Sequence, residues 1–193
     1  MSDFDDMIER ESQPFGAGIE PGAQGSVEWL MARCGYVSGS RFADVLDVLK
    51  NGTRSQKSKN YLMEVLVERV TGRPVEHFVN DAMAWGTEME PRAVMAYESM
   101  TGAMVTQSGF THHPTLQWVG GSVDGLVDDD GIIEIKCPTT STHIKTLLSQ
   151  TCEHLPQIQG YLWITGRKWA DFVSYDPRMP DKLQMYVQRI ERD

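Results

Sequence analysis

Eighteen consecutive residues, G-S-V-D-G-L-V-D-D-D-G-I-I-E-I-K-C-P at 121–138, leave this chain few ways to fold. Gly121 to Leu126 reads as one strand and Ile132 to Lys136 as the next. The acidic run Asp128-Asp129-Asp130-Gly131 between them has hairpin-turn chemistry. Side chains alternate along a strand, so Glu134 and Lys136 share one face while Ile133, Ile135 and Cys137 take the other, toward a core. Asp124 can reach the polar face from the partner strand. Pro138 cannot donate to a ladder and ends the strand. Two carboxylates on neighbouring strands can hold a hard divalent cation, with Lys136 beside the water that such a cation activates. The pattern D-x(9)-E-x-K is loose, and a solvated hairpin carries acids and a lysine by chance. Context favours a site: the charges lie among Ile, Val and Leu, flanked by glycines that permit close backbone approach.

The 193 residues suit one domain with a substantial core. No apolar run is long enough to span a bilayer, and the acidic start (Asp3, Asp5, Asp6, Glu9) is unlike a signal peptide, so the expected home is the cytosol. Cys34, Cys137 and Cys152 are odd in number, widely spaced and expected to be reduced. They form no C-x-x-C pair, which argues against a structural zinc or an iron–sulfur cluster. The net charge of −9 predicts weak non-specific contact between the exterior and nucleic acid. A small basic groove within an acidic exterior is compatible with it, because local potential matters more than the sum.

Residues 1–25 are polar and Gly-rich and read as a flexible arm, with a short helix near Phe4 to Ile8; 26–193 reads as a single domain. A short helix is expected over Val27 to Arg33. Ser40 is a good N-cap for a helix from Arg41 to Lys50, closed by Asn51-Gly52. A second long helix, Lys59 to Val70, should turn Leu62, Val65, Leu66 and Val70 inward. A third, Ala82 to Met100, should bury Trp85, Met89, Ala93, Ala96 and Tyr97, with Pro91 kinking or restarting it. Strands follow near Met104 to Phe110 and Gln117 to Val119, then the hairpin. Pro156 opens a helix to Ile164. Lys168 to Ser174 and Leu183 to Ile190 are closing strands. The fold class is α/β (α+β), with a central mixed β-sheet flanked by helices.

Taken one at a time, the polar residues elsewhere are ordinary. Glu90 reads as a helix-surface acid and Gln157 as a solvated helix residue. Arg33 can pair with Glu28 on its own helix. Met83 is apolar enough for a core. His112 and His113 point to opposite faces of a strand, which argues against a joint metal site. Arg54, Lys57 and Lys59 form the only dense basic run and fit a solvated loop.

In combination, the motifs resemble the lambda-exonuclease-like, YqaJ-type viral recombinase nucleases of the PD-(D/E)xK superfamily. The matching pieces are E-W-L-M-A-R-C-G-Y-V-S-G-S at 28–40, A-W-G-T-E-M-E-P-R-A at 84–93, S-V-D-G-L at 122–126 and E-I-K-C-P at 134–138. Q-I-Q at 157–159, Y-D-P-R-M at 175–179 and the terminal E-R-D complete the set in the family's order. The resemblance implies a restriction-endonuclease-like core. It implies that Asp124, Glu134 and the backbone carbonyl of Ile135 bind metal, that Lys136 is the catalytic lysine, and that Glu90 is the third acidic residue. Glu88 sits too far around the helix to share that face easily. Gln157 matches an active-site glutamine, Arg33 and Ser40 match holders of a terminal 5′-phosphate, and Met83 stands where an apolar wedge parts the terminal base pair. The family's tyrosine three residues before the glutamine is His154 here, a candidate contact to phosphate or water. The basic loop differs in length, which leaves Arg54 a weaker DNA contact.

The implied activity is Mg2+-dependent 5′→3′ digestion of one strand of linear double-stranded DNA, leaving 3′ single-stranded tails for phage-type recombination. One or two ions are expected, with Mn2+ able to substitute. A neutral lysine is needed for base chemistry, so an alkaline optimum is expected, with the lysine pKa depressed by the adjacent metal. The resemblance further implies a ring-shaped homotrimer, a single-strand annealing protein as partner, and a phage or prophage gene expressed in the bacterial cytoplasm. A site-specific endonuclease of the same fold and a non-catalytic DNA-end-binding scaffold are the alternatives.

Overall fold

The computed structural model describes residues 25–75 and 80–193. The arm and the short helix near Phe4 to Ile8 lie outside the described residues. Those described group into two compact units, a division that the sequence reading did not draw: one comprises the described part of Met1–Glu76 with Gly109–Ser122, the other Ser108 and the residues before it back to Asn80, with Val123–Asp193. No helix among the described residues is long and apolar enough to cross a membrane.

In the first unit, α1 (Val27–Arg33) begins at Ser26, whose side chain accepts the Trp29 N–H. A three-stranded sheet has β1 (Val37–Ser38) parallel to β4 (Val119–Gly121), which pairs antiparallel with β3 (Thr111–His112). The ten-residue helix expected after Ser40 is a 3-10 turn at Gly39–Arg41 and one helical turn, α2 (Phe42–Val45). Ser40 is not its cap; its hydroxyl pairs with that of Ser38 at 3.1 Å. Asn51-Gly52 forms a tight turn instead of a helix end: Gly52 N–H donates to the Leu49 carbonyl, Leu49 N–H to that of Thr53, and Val48 bridges Arg54. The Asn-Gly pair suits a reversal between extended segments, and here that use prevails.

Helix α3 (Gln56–Thr71) forms, but in a different rotational phase from the expected one. Ser58, Tyr61 and Val65 are buried, whereas Leu62, Leu66 and Val70 are 57%, 49% and 77% exposed. Polar bonds set the phase. The Tyr61 hydroxyl accepts the Ser38 N–H at 2.9 Å, Arg41 stacks on the Tyr61 ring, and Glu68 accepts N–H bonds from Gly35 and Val75.

In the second unit a five-stranded mixed sheet runs β2 (Val105–Thr106), β5 (Gly125–Val127), β6 (Gly131–Lys136), β7 (Trp169–Tyr175), β8 (Met185–Glu191). Only the central pair, β6 and β7, is parallel. A parallel pair needs a crossover, supplied by α5 (Thr140–Ser149) and α6 (Leu155–Thr165). α5 is absent from the sequence reading, because its T-S-T start signals caps and turns more than helix. The buried His143 pins it, with Nδ1 2.8 Å from Ser174 Oγ and Nε2 2.8 Å from the Leu183 carbonyl oxygen.

Helix α4 (Asp81–Thr101) runs through Pro91 without restarting. Its Met89, Ala93 and Tyr97 meet Val127, Ile133, Ile135, Cys137, Val173 and Tyr175 in one core. Each large side chain buried there contributes on the order of 1.5–3 kcal/mol. The strand expected over Gly121 to Leu126 is divided: β4 ends at Gly121 and β5 begins at Gly125, in the other sheet. Two glycines of the hairpin are required by close neighbours. A Cβ on Gly125 would stand 2.3 Å from Val105 Cγ1, and one on Gly131 would stand 2.2 Å from the Trp169 ring.

Candidate active site

The β5–β6 hairpin pairs Gly125 with Ile133 and Val127 with Gly131. Asp128 adopts the left-handed conformation in its turn (φ 46°), which Asp tolerates well among non-glycine residues. Extended by one step, the register sets Asp124 opposite Glu134. The Asp124 carboxylate accepts the Ile135 N–H at 2.6 Å. Ile133, Ile135 and Cys137 enter the core, as the period of two requires.

The opposite face is no solvated surface. Glu134 is 1% exposed. Its Oε1 accepts Lys136 Nζ at 2.5 Å and Gln157 Nε2 at 2.6 Å, the latter from the first turn of α6. Its Oε2 is buried with no hydrogen-bond partner. Burial raises the Asp124 pKa well above the usual carboxylate value, and the charge of Glu134 raises it further. Glu90, from α4, is raised by the same two causes in the same order. Glu88 is exposed on the far side of its helix. For Lys136, burial works to lower the pKa, but the charges of Glu134, Asp124 and Glu90 prevail and raise it. Protein groups alone thus set the direction opposite to that expected from sequence. The depression needs the added positive charge of a cation, which would offset the carboxylates.

Three carboxylates facing one lysine leave an excess of negative charge in a desolvated place. Among the described residues no group of three His, Cys, Asp or Glu side chains is already gathered as a metal cage; Lys136 and Gln157 engage Glu134. The donor set still suits a hard cation. It is all oxygen, it is over-negative, and it contains one buried carboxylate oxygen with nothing to bind. Asp124, Glu134, Glu90 and the Ile135 carbonyl are the groups that could hold such an ion. His154 precedes α6 and is half-buried near Phe172, at 5.8 Å between rings; burial first, then Lys136, lowers its pKa. Met83 lies in the first turn of α4 and is 50% exposed, outside the core.

Arg33, Ser40 and Arg54 belong to the first unit. Arg33 stacks on Trp29, with its Cζ 4.6 Å from the ring centroid, instead of pairing with Glu28. The Trp29 Nε1–H donates to Ser122 Oγ at 2.7 Å. The Trp29–Ser122 bond joins residues 93 positions apart, so no local pattern of sequence points to it. Ser40 is exposed, as is Arg54, whereas Lys57 is tied to Asp44 at 2.7 Å. His112 stacks on Tyr36, and His113 Nδ1 accepts N–H bonds from Thr115 and Leu116. Both histidines therefore have structural occupations.

This chain resembles known proteins in sequence and fold. LHK-Exo, an alkaline exonuclease from Laribacter hongkongensis, is 45% identical in sequence, with a TM-score of 0.80 over 87% of this chain and 83% of that one. The same protein in complex with dAMP gives the same values. A phage-related exonuclease from Haemophilus somnus 129PT, 18% identical with a TM-score of 0.62 over 82% of this chain and 85% of that one, shares the fold. No curated protein matches the sequence. The model of the YqaJ-like viral recombinase domain matches residues 28–168, so the chain belongs to that family.

Proposed function

We propose that this protein is a divalent-metal-dependent exonuclease that digests one strand of linear double-stranded DNA from its 5′ end, leaving 3′ tails. The observation that carries this reading is Glu134: a fully buried carboxylate with one oxygen unpartnered, the other held by Lys136 and Gln157, and two further carboxylates close enough to raise their own proton affinity beside it. Similarity to an alkaline exonuclease supports the reaction class.

Asp124, Glu134, Glu90 and the Ile135 carbonyl would hold Mg2+ or Mn2+, one or two ions. The ion would supply positive charge against the scissile phosphate and lower the pKa of a water. Lys136 orients that water and, when neutral, takes its proton as the water oxygen forms its bond to phosphorus. The phosphorus–O3′ bond breaks, and the departing 3′-oxygen gains a proton. Gln157 keeps the Glu134 carboxylate oriented while its amide remains able to meet phosphate or water. Arg33 offers a guanidinium fork and Ser40 a hydroxyl to a 5′-phosphate. Met83 serves as the wedge against the terminal base pair, and His154 and Arg54 as lesser contacts to DNA. The same reading takes the working form to be a ring-shaped homotrimer, acting with a single-strand annealing protein in the cytoplasm of a bacterial host. Family membership supports these assignments.

The test is digestion of linear duplex labelled at the 5′ or the 3′ end, with and without 5′-phosphate, beside a covalently closed circle. Early release of the 5′ label, preference for phosphorylated ends and an intact circle are expected. First release from 3′ ends refutes the polarity. A cut circle indicates an endonuclease, and no digestion of either form indicates a scaffold.

A further inference from the structure

The Y-D-P-R-M motif at 175–179 has no part in the chemistry described above, yet its Asp176 and Arg178 are densely hydrogen-bonded. Asp176, at the end of β7, is fully buried. Its Oδ1 accepts the Arg178 backbone N–H at 3.0 Å and Arg178 Nε at 2.7 Å. Its Oδ2 accepts Arg178 Nη2 at 3.0 Å and the Thr140 hydroxyl at 2.6 Å. Burial works to raise the Asp176 pKa, but these bonds, above all those from Arg178, prevail and hold it down at about 2. The carboxylate thus fixes the guanidinium in one plane.

That plane touches α4, which carries Glu90, and the chain two residues past the end of β6, which carries Glu134. Arg178 Nη2 also donates to the Pro138 carbonyl at 3.2 Å, two residues beyond Lys136. Arg178 Cζ lies 4.3 Å from the centroid of the Trp85 ring, on α4, five residues before Glu90. The Trp85 Nε1–H is buried and has no acceptor. Its indole is therefore placed by core packing and by the stacked guanidinium, with no hydrogen bond of its own.

We propose that Arg178 is a positioning residue: clamped by Asp176, it fixes α4 through Trp85 and the segment just beyond β6 through Pro138, and so sets the spacing of Glu90 from Glu134. The spacing matters because these groups form one ion-binding set, so this inference rests on the reading under Proposed function. A guanidinium held in a fork can perform both contacts at once; an ammonium cannot.

The experiment is titration of the full-length, DNA-free protein with Mn2+ alone, with free ion followed by electron paramagnetic resonance and melting followed in parallel. Arg178→Lys and Trp85→Leu are each expected to raise the Mn2+ dissociation constant about tenfold or more, the range for groups that orient metal ligands. Trp85→Leu keeps the Asp176–Arg178 pair and therefore does not depend on Arg178→Lys folding. Trp85→Phe, which keeps a ring under the guanidinium, should bind within about threefold of wild type. Thr140→Val weakens the same Asp176 cluster without touching either clamp contact, and should lower melting while leaving Mn2+ affinity unchanged. Wild-type affinity in folded Arg178→Lys and Trp85→Leu overturns the proposal, as does an equal loss in Thr140→Val. Absence of Mn2+ binding by the wild type instead removes the ion site itself and the inference with it.

Discussion

Asp124→Asn should remove activity and stabilise the protein. Asp124 shares a desolvated pocket with Glu134 and Glu90, and its pKa is raised by burial first and by the Glu134 charge second. An asparagine keeps an oxygen for the Ile135 N–H, now at 2.6 Å from the carboxylate, while it removes one buried negative charge. An imperfectly compensated buried polar group costs about 1–3 kcal/mol. Lys136 loses one attractive partner, so the net gain should fall near about 1–2 kcal/mol. For a chain of this size that is roughly 2–8 °C in melting temperature. The assay is thermal unfolding of wild type and Asp124→Asn in excess EDTA across pH. A raised pKa means that the folded state holds the proton more tightly than the unfolded chain. The cost of the carboxylate is therefore absent below the ordinary value of about 3.9 and grows as pH rises through the folded value. The advantage of Asn should vanish toward about pH 4 and widen as pH rises above it. A lower melting temperature for Asp124→Asn at neutral pH, or a gap independent of pH, refutes the argument that the carboxylates are held together against their own repulsion.

Other variants test separate parts of the account. Gly131→Ala sets a Cβ 2.2 Å from the Trp169 ring and should destabilise by about 1–3 kcal/mol; unchanged melting would show that the ring yields freely. Lys136→Met should lower kcat about 10²–10⁴-fold, and near-normal turnover of labelled duplex would remove its proposed role. Because the folded pKa of Lys136 is raised, chiefly by Glu134 against the opposing effect of burial, its ionic contribution to folding should persist below about pH 10.4 and fade above it. Chemical denaturation of wild type and Lys136→Met on either side of that pH reads this directly. Arg33→Ala should abolish any preference for 5′-phosphorylated ends in a competition digest, and an unaltered preference would acquit Arg33.

Much of the second unit was legible because its signals are local. The D-x(9)-E-x-K hairpin, the strand alternation of Ile133, Ile135 and Cys137, and the Met89, Ala93, Tyr97 stripe all follow from periods of 2 and 3.6. What failed was decided by distant polar partners. Helix α3 turned Leu62, Leu66 and Val70 outward because Tyr61 and Glu68 bond to Ser38 and Gly35. The segment after Ser40 gave up its helical period to a turn at Asn51-Gly52 and to the bond from the Ser55 hydroxyl to Asp47, at 2.6 Å. The burial of Asp176 and its bonds to Arg178 and Thr140 join residues up to 36 positions apart, so no window of sequence could disclose them. Glu90 shows the converse. Periodicity left it an ordinary surface acid, the resemblance singled it out, and the electrostatic influence of Glu134 on it could be seen only in three dimensions.

The central claim is that these carboxylates form a divalent-ion site. Anomalous diffraction at the manganese edge from a crystal soaked in Mn2+ tests it most directly. The account predicts an anomalous peak bonded to Asp124 and Glu134 oxygens, with Lys136 drawn off Glu134. A clean map at that position, with Lys136 still bonded to Glu134 and no peak between the side chains, would contradict it.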